Sequence, residues 1–307
     1  MLFAGTLLFF VAVFGPARIV KAPEHIFAFF IKPPEARVLF VGDLFFDRYI
    51  RQVMDARGGE YVFSCIGDLL GSADLVVGNL EGPITDKPSI SAGSEIGSPE
   101  NFHFTFPPMT AALLAAHNIR MVNLGNNHIM SLGRDGLLQT KERLTAAGVG
   151  FFGDPDAGEE NRVARIEING IPTSFVNWSD WTSDKTDHTV AQVKKEVKAG
   201  RTTLVYAHWG EEYEEPLARM KDLARSFIDA GAIAVFGSHP HIVQEHEVYK
   251  GKDIYYSLGN FIFDQYWDKS VFQGLTVLLT ISKDKVVRAQ EYPVEMLRDG
   301  RTCPLVV

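Results

Sequence analysis

Two cysteines in a chain of 307 residues, Cys65 and Cys303, are too few and too far apart for a zinc ribbon or a redox motif. They read as isolated buried thiols. Positive charge is also scarce: 30 Lys and Arg face 38 Asp and Glu, a formal net charge of −8. That balance excludes a general nucleic-acid binder, which would carry a basic face. It leaves an anionic ligand open, because bound cations or a local arginine reverse the field inside a cleft. No internal repeat and no domain linker interrupts the sequence, so residues 35–307 are expected to form one domain. A hydrophobic share of 46% with 22% charged residues supplies the core for it.

Long apolar runs are missing too. Residues 2–14 (LFAGTLLFFVAVF) are uncharged and almost wholly apolar, but shorter than the ~20 residues of a spanning helix. The basic n-region of a secretory signal is absent as well. A second apolar patch at 26–31 precedes Pro33-Pro34. Residues 1–34 therefore read as an export signal or anchor, an interfacial segment, or a core helix. Arg18 and Lys21, lying after the first run, oppose translocation of the chain beyond them.

What the chain does have is alternation of strands and helices. Strands are expected at 36–43, 74–81, 120–125, 202–208, 232–237 and 253–260. Helices are expected at 60–70, 108–117, 135–147, 190–199 and 216–230. Asn169-Gly170 joins strands 163–168 and 171–178 in a hairpin, and Lys250-Gly251 marks another turn. Two more strands flank Lys283-Asp284. Early alternation followed by hairpins points to an α/β fold of two stacked mixed β-sheets flanked by helices.

Several strands end in residues that bind metals or move protons. The first ends at Gly42-Asp43, with Arg48 shortly after, and the second at Asn79-Leu80-Glu81. The third ends at Gly125-Asn126-Asn127-His128. Later strands run into His208-Trp209-Gly210-Glu211 and Gly237-Ser238-His239-Pro240-His241. Taken singly, each has a plain explanation: Asp43 as a helix cap, Asn126-Asn127 as a turn, His208 as a satisfied core histidine. Coincidence at five strand ends is harder to accept, since open α/β sheets gather ligands beyond the carboxyl ends of their strands. Mixed carboxylate, amide and imidazole donors suit Zn, Mn or Fe and not calcium.

These motifs, together with Tyr256-Ser257-Leu258-Gly259-Asn260-Phe261, resemble those of the CapA-type capsule, or poly-γ-glutamate biosynthesis, proteins. The resemblance runs from about residue 38 to residue 263. It implies a calcineurin-like, metallophosphatase-like four-layer sandwich. Carried over residue by residue, it implies that Asp43, Glu81, Asn127, His208, His239 and His241 hold one or two divalent transition ions. His128 and Arg48 become the candidate catalytic groups. Asn126, Asn260 and Glu211 are expected to bind substrate or to orient a ligand. One departure limits the comparison. Asp43 is followed by Leu44-Phe45, so the histidine of an Asp-x-His pair is missing and a second metal position is in doubt. Where the family carries an aspartate after Asn-Asn-His, this chain has Ser131.

The resemblance implies a metal-dependent hydrolase or transferase-like enzyme of an anionic cell-envelope polymer such as polyglutamate. Two other readings stay open: a non-catalytic polymer-binding assembly or transport component, and a generic metallophosphoesterase acting on a phosphate-containing small molecule. The expected partners are a capsule-synthesis membrane complex and no nucleic acid. The expected location is the cell envelope, exported or membrane-associated, with the cytoplasm as the alternative.

Overall fold

Strands that are apolar along both faces need cover on both faces. The runs 36–44, 75–80, 202–208 and 234–238 are buried over nearly their whole lengths. In the computed structural model, which describes residues 33–158, 162–182 and 186–305, they form the centres of two sheets.

The chain opens with β1 (Ala36–Leu44), α1 (Arg48–Arg57), the one-turn α2 (Gly67–Gly71) and β2 (Leu75–Leu80). Then come α3 (Thr110–Ala116), β3 (Ile119–Asn123), α4 (Gly133–Ala146) and β4 (Gly150–Phe152). The second sheet takes up β5 (Val163–Ile168), β6 (Ile171–Ser179), α5 (Thr186–Lys198), β7 (Thr202–His208), α6 (Ala218–Asp229) and β8 (Ala234–Ser238). A hairpin of β9 (His246–Tyr249) and β10 (Lys252–Tyr255) follows. The chain returns through β11 (Asn260–Ile262), α7 (Lys269–Phe272), β12 (Gln273–Ser282), β13 (Lys285–Met296) and β14 (Thr302–Pro304).

The first sheet runs β14-β13-β12-β1-β2-β3-β4, with β11 also paired to β1; the second runs β5-β6-β7-β8-β10-β9. Both are mixed. β1, β2, β3 and β4 are parallel, as are β6, β7, β8 and β10, while the outer pairs are antiparallel.

Period-2 alternation sorts the side chains into three apolar layers. Leu39, Val41 and Val76 face out and pack on Ile50 and Val53 of α1 and Leu137 of α4. Val38, Phe40 and Val77 face in and meet Phe175, Tyr206 and Phe236 of the second sheet. Val176, Val205 and Val235 face the other way, onto Val193 of α5 and Met220 and Phe227 of α6. The result is helix, sheet, sheet, helix, the four-layer sandwich the sequence implied. Phe40 stacks on Phe236 at 3.8 Å between ring centroids, and the Tyr206 hydroxyl donates to the Val41 carbonyl at 2.7 Å.

Three expectations are corrected. Residues 60–70 form a 3-10 turn at Gly59–Phe63 and then α2 rather than one helix, with Gly67, which lowers helix propensity, at the start of α2. Residues 253–260 are not one strand: β10 ends in the second sheet and β11 begins in the first. The crossover needs bare backbone beneath it. A Cβ on Gly42 would lie 1.8 Å from the Gly259 carbonyl oxygen, and one on Gly237 1.8 Å from that of Tyr256. Cys65 and Cys303 are half-buried and joined in a disulfide across a sequence separation of 238, with Cα atoms 4.8 Å apart. β14 is thereby stapled to the loop before α2. The apolar run at 2–14 and the patch at 26–31 lie outside the described residues.

Candidate metal centre

Strand register aligns the polar residues before any side chain is considered. Asp43 is level with Asn79, Asn79 with Asn123, and Asn260 lies on the other side of Asp43. In the second sheet Ser179, His208 and Ser238 form a matching row. Both rows stand at the carboxyl ends of parallel strands, except Asn260, which opens β11. The Asn177 side chain donates to Asn123 Oδ1 at 2.9 Å, and the His239 backbone N–H donates to Asp43 Oδ2 at 3.2 Å, tying row to row.

Asp43, Glu81, His208, His239 and His241 are all buried around this junction. Three sets of potential ligand atoms lie within 4.8 Å of one another: Asp43, Glu81 and His241; Glu81, His208 and His239; Glu212, His239 and His241. Asn127 belongs with them, since its Oδ1 is 2.9 Å from His208 Nε2. All six residues implied as ligands therefore converge. A seventh, Glu212, was not expected.

Each of two histidines has one nitrogen placed by a neighbour. His241 Nδ1 is 2.9 Å from Asn260 Oδ1, and His208 Nδ1 is 2.9 Å from Ser238 Oγ. Asn260 uses its amide group on Val271 O and Gln265 Oε1, so its side chain is tied up in orienting the His241 ring. Asn126 is likewise consumed. Its Oδ1 accepts the backbone N–H groups of His128 and Ile129, and its Nδ2 donates to Asn79 Oδ1 and Leu80 O. It builds the turn that presents Asn127 and His128. Asn79 donates to both carboxylates, Asp43 Oδ1 at 2.8 Å and Glu81 Oε2 at 3.4 Å. The sequence placed Asn79 at a strand end but carried no sign of this role.

Two residues sit differently from expectation. Glu211 and Glu212 are both exposed, and it is Glu212 whose carboxylate reaches His239 and His241. The turn decides this, because Gly210 and Tyr213 both adopt positive φ, at 89° and 64°. Arg48 is not a free anion clamp. Its guanidinium forms a bidentate pair with Asp264, at 3.1 and 2.5 Å, and lies over the Phe45 ring. His128 rests against Phe104, at 4.3 Å between centroids, and belongs to none of the three ligand sets.

Burial governs the proton equilibria. It pushes His128 down to about 3 and His239 to about 4, in each case reinforced by the charge of His241, and it lowers His208 as well. At neutral pH these rings are therefore neutral, the form that ligates. Burial also raises Glu81, reinforced by the negative charge of Asp43. Asp43 would rise for the same reason, but hydrogen bonding and charge from His241, with His208 and Asn79, hold it well below the usual carboxylate range.

The residues fit a cation. Glu81 Oε1 and His239 Nδ1 are buried without any hydrogen-bond partner, which is costly unless something else satisfies them. His239 and His241 hold positive φ, 97° and 58°, on either side of Pro240. Such strain persists where the surroundings over-determine it, and the Tyr213 N–H bond to Pro240 O at 2.9 Å is one such tie. Three imidazoles and two carboxylates offer the borderline donors that Zn, Mn or Fe prefer.

Comparison with known proteins gives an independent view. The family model described as "Bacterial capsule synthesis protein PGA_cap" matches residues 37–265. The chain is 30% identical over 278 residues to the PGA biosynthesis protein CapA of Bacillus subtilis, covering 84% of this chain and 70% of that protein. It is 30% identical over 255 residues to the capsule biosynthesis protein CapA of Bacillus anthracis, covering 75% of this chain and 60% of that one. Among solved structures, TT1561 of Thermus thermophilus is a weak likeness, with a TM-score of 0.44 and 10% identity over 80% of this chain and 98% of that one.

Proposed function

The chain belongs to the bacterial capsule synthesis protein family, and on that premise we propose that it serves capsule or poly-γ-glutamate synthesis as a metal-dependent hydrolase or transferase-like enzyme. Its substrate in this reading is an anionic cell-envelope polymer, handled beside the membrane partners of a polymer-synthesis complex. One observation carries the reading: ligand atoms from five strand ends converge on a buried pocket in which Glu81 Oε1 and His239 Nδ1 have no hydrogen-bond partner.

Asp43, Glu81, Asn127, His208, His239 and His241 would hold the ion. A divalent transition ion bound there supplies Lewis acidity, polarising a phosphoryl or acyl oxygen and making water more acidic. His128 stands beside these ligands as a neutral imidazole. It has no extra proton to give at neutral pH, so its part is to donate its ring N–H to developing charge or to accept a proton. Arg48, locked by Asp264, contributes a fixed positive charge at the edge of the pocket.

The disulfide supports a location outside the cytoplasm, where oxidised cysteines persist. Among the described residues no helix is long and apolar enough to cross a membrane.

The non-catalytic polymer-binding reading draws on one feature, the buried Leu44 and Phe45 in place of a further ligand after Asp43. Elemental analysis of the purified protein, with a hydrolysis screen over γ-glutamyl and phosphate-ester substrates, separates the two. The enzymatic reading expects a transition metal and a cleavage lost in His128→Ala and His241→Ala. Purified protein without metal, functioning normally as His241→Ala, would sink it.

A further inference from the structure

The surplus carboxylate in the site is Glu212. We propose that it is a metal ligand, closing a second cation position at the mouth of the pocket in place of the donor missing after Asp43. This inference rests on the metal-centre reading above.

The three ligand sets are not equivalent. Asp43, Glu81 and His241 are drawn from the first sheet and the last histidine, whereas Glu81, His208 and His239 lie toward the second sheet. Glu81 is common to both, so a single buried carboxylate faces two positions. With Asn127 the second position has four donors, whereas the first has three and one coordination place open, the place a histidine after Asp43 would fill. Glu212 is within reach of His239 on one side and His241 on the other.

Its placement is built and not accidental. Gly210 N–H donates to Asp180 Oδ2 at 2.9 Å, and Tyr213 N–H donates to Pro240 O at 2.9 Å. Gln265 fixes the end of the same loop by donating to the Tyr213 hydroxyl at 3.0 Å. The loop is thus held at both ends around Glu212, against the very turn that carries His239 and His241. Glu211, Glu214 and Glu215 share its exposure but join no ligand set among the described residues.

Charge favours the same count. Three carboxylates, Asp43, Glu81 and Glu212, gather at this one site, a donor set suited to more than one divalent cation. The orphaned His239 Nδ1, 4% exposed as a residue, points independently to a missing partner beside His239, which belongs to the Glu212 set.

The test uses the full chain stripped with chelator, reloaded with Zn²⁺ and dialysed before elemental analysis. The wild type is expected to hold two equivalents, Glu212→Gln one, and Glu211→Gln two. Far-UV circular dichroism and the urea midpoint of the metal-free variants should match the wild type, excluding misfolding as the cause. Two equivalents in Glu212→Gln, or one in the wild type, overturn the proposal and leave the metal-centre reading standing. No bound zinc in the wild type overturns both.

Discussion

His241 Nδ1 lies 2.9 Å from Asn260 Oδ1, and the opposite nitrogen of the same ring faces Glu81 Oε1 at 3.6 Å. An amide oxygen can only accept, so it holds a proton on Nδ1 and fixes the ring with Nε2 toward the pocket. Asn260→Ala should therefore weaken metal binding by about 10–100-fold, the usual cost of losing such a partner. Asn260→Asp, which keeps an acceptor at that place, should recover much of the loss. Competition titration against a chromogenic chelator reads both; equal affinities for wild type and Asn260→Ala would refute the assignment.

His128 should separate chemistry from binding. It lies outside the ligand sets, so His128→Ala is expected to retain the wild-type metal content. Hydrolysis of whichever ester or γ-glutamyl substrate is accepted should fall by about 10²–10⁴-fold. His128→Gln keeps an N–H donor and should retain more activity than the alanine variant. Loss of metal in His128→Ala would instead make it a ligand.

The Cys65–Cys303 disulfide should matter for stability and not for the site. It closes a very long loop, and its removal by Cys65→Ser should cost about 2–5 kcal/mol in urea unfolding. Metal content should be unchanged. Reductant should lower the wild-type midpoint toward that of the variant and leave the variant where it was.

Acid should destabilise the metal-free protein through its buried histidines. His128 titrates at about 3 and His239 at about 4 in the folded chain, against 6.5 for an ordinary histidine. Between those limits the unfolded chain binds more protons than the folded one, so stability is complete above about pH 6.5 and falls as pH drops toward 3. Each group contributes a slope of up to about 1.4 kcal/mol per pH unit in its window. Urea midpoints measured from neutral pH downward should show the decline, and His128→Gln should flatten it. A midpoint indifferent to pH across that range would contradict the burial that depresses both rings.

Much of the layering was legible because strand alternation is a local property. Phe40 and Val41 differ by one residue and necessarily face opposite layers, and Leu204 and Val205 do the same. The strand-end motifs were legible for a related reason, since each is contiguous in the chain. What stayed hidden depended on partners remote in sequence. Cys65 and Cys303 lacked any motif spacing, and only the packing of β14 near α2 brings them together. Arg48 looked like an anion clamp until the fold set Asp264 against it.

The sequence by itself determined two stacked sheets and the candidate donors, because period-2 burial and short motifs are written in neighbouring residues, and the same motifs carried the family resemblance that implied the four-layer order. The tertiary structure alone decided which atoms face the pocket. Across a turn with positive φ at Gly210 and Tyr213, Glu212 comes within reach of His239 and His241 and Glu211 does not, though the two are adjacent, chemically identical and both exposed. Bare backbone at Gly42 and Gly237 lets the chain between β10 and β11 cross from one sheet to the other and carry Asn260 to His241. Direction in space is set by backbone torsions and contacts across the fold, and no local pattern of residue types encodes it.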